Sequence, residues 1–124
     1  ADVIYAAAGG TGVGVLQTAA DEGILSIGVD SNQNHLHPGK VLTSMLKRVD
    51  VAAYNVFKSA NDGSWKSGIQ VLGLKEGGID WALDEHNKHL ISPAMKAAVE
   101  KAKAGIIAGE ITVHDYMSNN KCPK

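Results

Sequence analysis

Asp2-Val3-Ile4-Tyr5-Ala6-Ala7-Ala8-Gly9-Gly10-Thr11-Gly12 runs from a nearly continuous apolar segment straight into a glycine turn. Such a segment suits a strand buried on both faces of a parallel sheet. The following residues, Val13 to Glu22, read as a helix that Gly23 stops. A second apolar run, Ile24 to Val29, ends at Asp30, and a third, Val41 to Leu46, ends at Lys47. Between them, Ser31 to Lys40 is polar, contains Pro38-Gly39 and reads as a loop. This order predicts an α/β fold with a mostly parallel sheet flanked by helices. In open sheets of that kind, ligands bind beyond the carboxyl ends of the strands. A glycine turn, a carboxylate and an ammonium are therefore expected at one rim.

Each group brings its own chemistry. Glycines let the backbone come close to a ligand, and a helix N-terminus offers N–H groups with no partner inside the helix. Gly9 and Gly10 are the candidates for that contact. Asp30, when ionised, only accepts hydrogen bonds and has two oxygens to accept them, which suits two neighbouring hydroxyls of a sugar. Lys47 can donate to a sugar hydroxyl or pair with Asp30. Plainer readings stand beside these: a tight packing turn, a loop-starting or capping aspartate, and a solvated lysine at a helix start.

Beyond Lys47, the spacing of Val49, Ala52, Ala53, Val56 and Phe57 predicts a helix over Arg48 to Ala60, followed by a turn at Asn61 to Ser64. Ile69 to Leu74 reads as a fourth strand, Lys75 to Gly78 as a turn and Ile79 to Leu83 as a short strand. Asp84 to Leu90 is polar and irregular. The last helix has the clearest boundaries: Ser92 to cap it, Pro93 at its first position and Gly109 to stop it. Ile111 to Val113 reads as a short terminal strand and Met117 to Lys124 as a polar tail.

Composition excludes several classes. With 124 residues, 44% hydrophobic and 20% charged, the chain is one globular domain or a piece of one. The net charge is −1 and the basic residues are scattered, so there is no electrostatic footprint for nucleic acid or for a membrane surface. Cys122 is the only cysteine, which rules out an intrachain disulfide or a cysteine-based zinc cluster. No run approaches the roughly 18 apolar residues of a membrane helix. His35-Leu36-His37 and His86-Asn87-Lys88-His89 read as exposed loop histidines, because a histidine pair without a third ligand does not hold a metal. No nucleophile elbow, HExxH or Cys/His pair is present, so neither catalysis nor a cofactor is expected. Trp65 and Trp81 lie near turns and are expected to pack under loops.

Four ordered motifs carry a family resemblance. They are Asp2-Val3-Ile4-Tyr5 running to Gly9-Gly10-Thr11-Gly12, then Ile27-Gly28-Val29-Asp30-Ser31-Asn32-Gln33, then Val41 to Asp50, then Leu72-Gly73-Leu74-Lys75-Glu76-Gly77-Gly78. Together they resemble the basic membrane protein family, the purine-nucleoside receptor-like substrate-binding lipoproteins of bacterial ABC importers. The resemblance covers nearly the whole chain except the tail after Val113. It implies a periplasmic-binding-protein type I fold, in which two α/β lobes joined by a hinge close on a nucleoside. It implies that Gly9, Asp30 and Lys47 contact the ribose from the carboxyl-terminal lobe, with Gly10 beside them. Residues that sandwich and read the base are expected in segments before Ala1.

On this reading residues 1–124 are a single fragment, the last third of such a protein. Residues 1–47 form a βαβ portion of the carboxyl-terminal lobe, and 48–68 visit the amino-terminal lobe. Residues 69–113 supply a return strand and the terminal helix, and 114–124 are a tail. The expected partners of the parent protein are a small-molecule nucleoside and an ABC permease, at a periplasmic or cell-surface location, with the signal and lipid-anchor region outside this chain. Taken alone, the piece is expected to self-associate or to be a proteolytic remnant, because uncovered apolar surface drives association.

Two other readings remain. One is a dinucleotide-binding oxidoreductase domain, since Asp30 lies about 20 residues after the glycine turn. Its glycines, however, run Gly-x-x-Gly-x-Gly rather than Gly-x-Gly-x-x-Gly. The other is a structural fragment with no ligand.

Overall fold

A computed structural model describes residues 1–122; Pro123 and Lys124, the end of the expected tail, lie outside them. The chain forms two compact units, Ala1–Ser92 and the residues from Pro93 onward.

The first unit is built on a four-stranded sheet in the order β1-β2-β3-β4. β1 (Val3–Tyr5) leads through the glycine turn into α1 (Thr11–Asp21), which returns the chain to β2 (Leu25–Gly28). A polar loop with one 3₁₀ turn at Asn34–Leu36 leads to β3 (Val41–Lys47). β1, β2 and β3 are parallel, with Tyr5 beside Ile27 and Ile27 beside Thr43. α2 (Val49–Asp62) follows β3, and β4 (Ile79–Trp81) then pairs antiparallel with it, Met45 opposite Trp81. This is the mixed α/β architecture that the apolar runs predict.

The helices end where the sequence places their stops. After α1, the Gly23 N–H bonds the Ala20 carbonyl and the Ile24 N–H bonds that of Ala19, a pair of bonds that needs a left-handed residue between helix and strand. Gly23 supplies it, with φ of +74°.

Three expectations fail, each for want of a neighbour. β1 is not buried on both faces: it is the edge strand, and Val3 and Tyr5 are exposed. Tyr5, Ile27, Thr43, Met45 and Trp81 line an open apolar hollow of about 350 Å³ on one face of the sheet. The predicted strand over Ile69 to Leu74 does not form. Both edges of β3 are already occupied, by β2 and β4, and the segment is irregular with Ile69 98% exposed. It bends back at Gly73, whose carbonyl accepts the Gly78 N–H at 2.9 Å. Ile111 to Val113 likewise forms no strand and joins no ladder among the described residues. α2 forms as predicted, but its apolar side chains Val49, Tyr54, Val56 and Phe57 are exposed.

The interior of the first unit is as polar as it is apolar. Leu16, Ala19, Val29, Val41 and Ala82 are its buried hydrophobic residues, and Ser26, Asn34, Ser44 and Asn87 are buried beside them. Buried polar groups are costly unless hydrogen-bonded. No buried side-chain polar atom among the described residues lacks a partner. One reason for polarity here is local. The β2–β3 register shifts between Ser26 and Ile27, so Leu42 is an extra residue on β3. Its carbonyl is met by the side-chain amide of Asn87 at 2.9 Å.

In the second unit, α3 spans Pro93–Ala108. The Glu110 N–H bonds the Gly105 carbonyl and the Gly109 N–H that of Ile106, so α3 closes with the bond pattern that ends α1. A 3₁₀ turn at Tyr116–Ser118 follows, and Cys122 is an exposed free thiol.

Candidate functional site

Parallel pairing sends the connections after β1, β2 and β3 off the same edge of the sheet. Gly9-Gly10, Asp30 and Lys47 lie on those three connections or at their start. Asp30 and Lys47 meet directly. The Lys47 ammonium is 3.1 Å from Asp30 Oδ1, and the Lys47 backbone N–H donates to the Asp30 carbonyl at 2.9 Å. Gly9 turns the chain at φ +53°, and Gly10 precedes α1, whose N-terminus has no side-chain cap. A Cβ at Gly9 or Gly10 would meet nothing within 4 Å. The space in front of this turn is therefore open to a ligand, and the N–H groups of the first helical turn face no capping side chain.

The pair is about half exposed, 57% for the Lys47 side chain and 47% for that of Asp30. An ion pair so exposed contributes about 0–1 kcal/mol to folding. Stability alone gives little reason for it. Asp30 also holds φ of +68°, a left-handed conformation uncommon outside glycine, asparagine and aspartate. Backbone strain of this kind concentrates at binding sites.

Neighbouring charges are otherwise engaged. Arg48 follows Lys47 and forks onto Asp50, with Nη2 at 2.8 Å from Oδ2 and Nε at 3.0 Å from Oδ1. Hydrogen bonding from Arg48 holds the Asp50 carboxyl down at about 2.

What the sequence reading missed is the scaffold beneath Asp30. The residues after it, Ser31-Asn32-Gln33-Asn34, are stitched by their own side chains. Gln33 Oε1 accepts the Val29 N–H at 2.9 Å, and Asn32 Oδ1 accepts the Asn34 N–H at 3.0 Å. The amides of Asn32 and Asn34 both donate to Asp84 Oδ2, at 2.7 and 3.0 Å. Ser44 of β3 donates to Asn34 Oδ1 at 2.8 Å and accepts the Gln33 N–H at 3.0 Å. Asp84 belongs to the segment read as polar and irregular; Asn87 Oδ1 accepts its backbone N–H at 2.8 Å. The available signal was the density of amide side chains straight after a strand-ending aspartate, the pattern of residues that bond their own backbone.

Burial pushes the Asp84 carboxyl up, but hydrogen bonds from Asn32, the His86 N–H and Asn34 together outweigh it and hold the group below its usual value. A carboxylate lowered on folding stabilises the fold above its unfolded value, and that stability is lost as pH falls through the folded one. The Asp84 side-chain carboxyl carbon resonance is therefore expected to titrate below about 3.9, the ordinary aspartate value. A midpoint at or above it would contradict the network.

Trp65 is half exposed rather than packed under a loop. Among the described residues, no group of three or more His, Cys, Asp or Glu side chains could hold a metal ion, and no helix is long and apolar enough to cross a membrane.

Comparison with known proteins places this arrangement. Residues 1–116 match the Bmp family model, described as ABC transporter substrate-binding protein PnrA-like, and the chain belongs to that family. It is 36% identical over 131 residues to the ABC transporter nucleoside-binding protein BmpA of Lactococcus lactis, covering 90% of this chain and 36% of that protein. It is 43% identical over 91 residues to an uncharacterized lipoprotein of Pyrococcus abyssi, covering 68% of this chain and 22% of that one. The chain thus spans about a third or less of the length of these relatives. Among solved structures, an ABC transporter solute-binding protein from Aeropyrum pernix superposes with a TM-score of 0.69 at 30% identity, over 95% of this chain and 42% of that one. A transcriptional activator of the comK gene from Bacillus halodurans gives 0.81 at 25% identity, over 91% and 39%.

Proposed function

We propose that the protein is the solute-binding component of an ABC importer and that its ligand is a purine ribonucleoside. The single observation that carries the ligand is the Asp30–Lys47 pair, a half-exposed anion and cation 3.1 Å apart at the carboxyl edge of a parallel sheet. A ribose offers adjacent hydroxyls, each a donor and an acceptor. One can donate to the Asp30 carboxylate while its neighbour accepts from the Lys47 ammonium. The backbone N–H groups at Gly9 and Gly10 add donors for a ring or hydroxyl oxygen. Family membership and the name of the Lactococcus relative support the reading. No bond is made or broken: binding closes the protein around its ligand and presents it to a membrane permease. The lipoprotein names among the relatives support a location outside the cytoplasm.

Calorimetry on the full-length protein tests this. Inosine, guanosine or adenosine is expected to bind, and the corresponding 2′,3′-dideoxynucleoside at least tenfold more weakly. A site built around hydroxyls rejects the ligand that lacks them, because its polar groups are left unpaired. Equal affinity for the two sugars would remove Asp30 and Lys47 from the site.

A further inference from the structure

We propose that Asp84 is a positioning residue for the sugar site, acting through Asn32, Asn34 and Ser44 to hold Asp30 against Lys47. The proposal rests on the nucleoside reading for its ligand, but its geometry is independent of it. Asp84 lies fifty residues from Asn34 in sequence, yet one of its oxygens accepts from both Asn32 and Asn34. Its other oxygen accepts the His86 N–H at 2.8 Å. Both oxygens are thus engaged, and every donor is neutral.

The chain of bonds leads from Asp84 to the ion pair along two routes. The first runs through Asn32 and Asn34 into the loop that starts at Asp30. That loop is tied at its Asp30 end by Gln33 Oε1 on the Val29 N–H and by the Ser31 N–H on the Val29 carbonyl at 2.9 Å. The second runs through Asn34 Oδ1 to Ser44, three residues before Lys47 on β3. A single frame therefore sets both partners, one from the loop and one from the strand. There is no slack in it. A Cβ added at Gly28 would come within 2.6 Å of Ser44 Oγ and 2.9 Å of Gln33 Cβ.

This frame explains why Asp30 stays at φ +68° although its own side chain is only half buried. A left-handed aspartate on an untethered loop would relax. Here, the residues on either side of it are pinned by side chains that converge on a buried centre, with Asn34 and Ser44 at or below 1% exposure. Among the described residues, Asp84 is the only acceptor that joins Asn32 to Asn34 from outside the loop. Asparagine at position 84 has the same shape but replaces one oxygen with an amide donor. In either orientation it faces at least one existing donor with another.

The experiment uses the full-length protein and the variant Asp84→Asn, with Asn32→Ala as a milder second variant whose exposed position keeps folding intact. Amide hydrogen exchange reads the frame without any ligand. The Val29, Gln33 and Lys47 amides are expected to exchange at least tenfold faster in Asp84→Asn, while those of Leu16 and Ala19 in α1 keep their wild-type rates. Unchanged rates at Val29, Gln33 and Lys47 would overturn the proposal, as would acceleration spread evenly over α1. Calorimetry reads the consequence. The ratio of inosine affinity to 2′,3′-dideoxyinosine affinity is expected to fall at least fivefold. A purely structural role would lower the fraction of competent protein and leave that ratio alone, and an unchanged ratio beside faster exchange overturns the positioning role. If the wild-type protein binds neither nucleoside, the nucleoside reading fails on its own, and the exchange pattern alone decides whether Asp84 sets the pair.

Discussion

Replacing Asp30 with alanine in the full-length protein is expected to weaken purine-ribonucleoside binding by about 1–3 kcal/mol, roughly 5- to 150-fold. The magnitude follows from what the substitution removes. Asp30 is the carboxylate at the strand edge that faces the Lys47 ammonium, and hydrogen bonds to a charged group are worth more than neutral ones. Alanine deletes the acceptor for the sugar hydroxyl and leaves Lys47 to be desolvated without its partner when the ligand covers it. The same change is expected to cost the fold little, because the pair is about half exposed and such pairs contribute about 0–1 kcal/mol. The left-handed φ at this position adds a small further cost, since alanine adopts it less readily than aspartate. Large loss in binding with small loss in stability is the signature of a ligand contact. Calorimetry and a denaturation curve on one preparation separate the two, and unchanged affinity would take Asp30 out of the site.

The largest effect on stability is expected at Asn87. Its side chain is fully buried and makes three bonds at once: to the Leu42 and Ala82 carbonyls, both at 2.9 Å, and from the Asp84 N–H at 2.8 Å. The Ala82 carbonyl keeps a second donor in Thr43 Oγ1 at 2.7 Å, but the bulged Leu42 carbonyl and the Asp84 N–H lose the side-chain partner that serves them. Each group so orphaned costs about 1–3 kcal/mol when fully buried, and less where, as at these two bonds, burial is partial. Asn87→Ala is therefore expected to destabilise the protein by about 2–4 kcal/mol, read as a lowered urea midpoint. Gln17→Ala breaks an exposed bond within α1, between Gln17 and Asp21, and serves as the control expected to stay within about 0.5 kcal/mol. An Asn87 variant no worse than the control would mean that the polar interior does not hold the first unit together.

The two substitutions probe different parts of one construction. Asn87 ties the segment after β4 to the bulge on β3, Asp84 ties that segment to the loop after β2, and Asp30 sits at the start of that loop. The candidate site is thus carried on a hydrogen-bonded frame rather than on a large apolar core. Hydrogen bonds are directional, so such a frame fixes positions more closely than apolar contacts of equal energy.

Much of this was legible in the chain itself. Apolar runs of strand length, ended by Gly9, Asp30 and Lys47, mark β1, β2 and β3 and place the candidate groups at one edge, because parallel strands share a direction. Helical spacing after Lys47 marks α2, and Pro93 and Gly109 bound α3. Capping and glycine stops are local physics, settled by residues a few positions apart.

What escaped the sequence depends on which segments come to lie side by side. Ile69 to Leu74 carries strand-like residues, yet a strand exists only where a neighbouring edge offers hydrogen bonds, and β4 takes the edge of β3 instead. Asn32, Asn34 and Asp84 look like ordinary loop residues until folding brings positions fifty apart within hydrogen-bond reach. By itself, the sequence determined the α/β alternation, the helix limits and the shared rim of Gly9, Gly10, Asp30 and Lys47. Only the tertiary structure decided that Asp30 meets Lys47, which strands pair, and that a buried amide network supports the rim. Periodicity and caps are read within one turn or one strand, whereas ladders and buried polar bonds are set by long-range neighbours that no local stretch encodes.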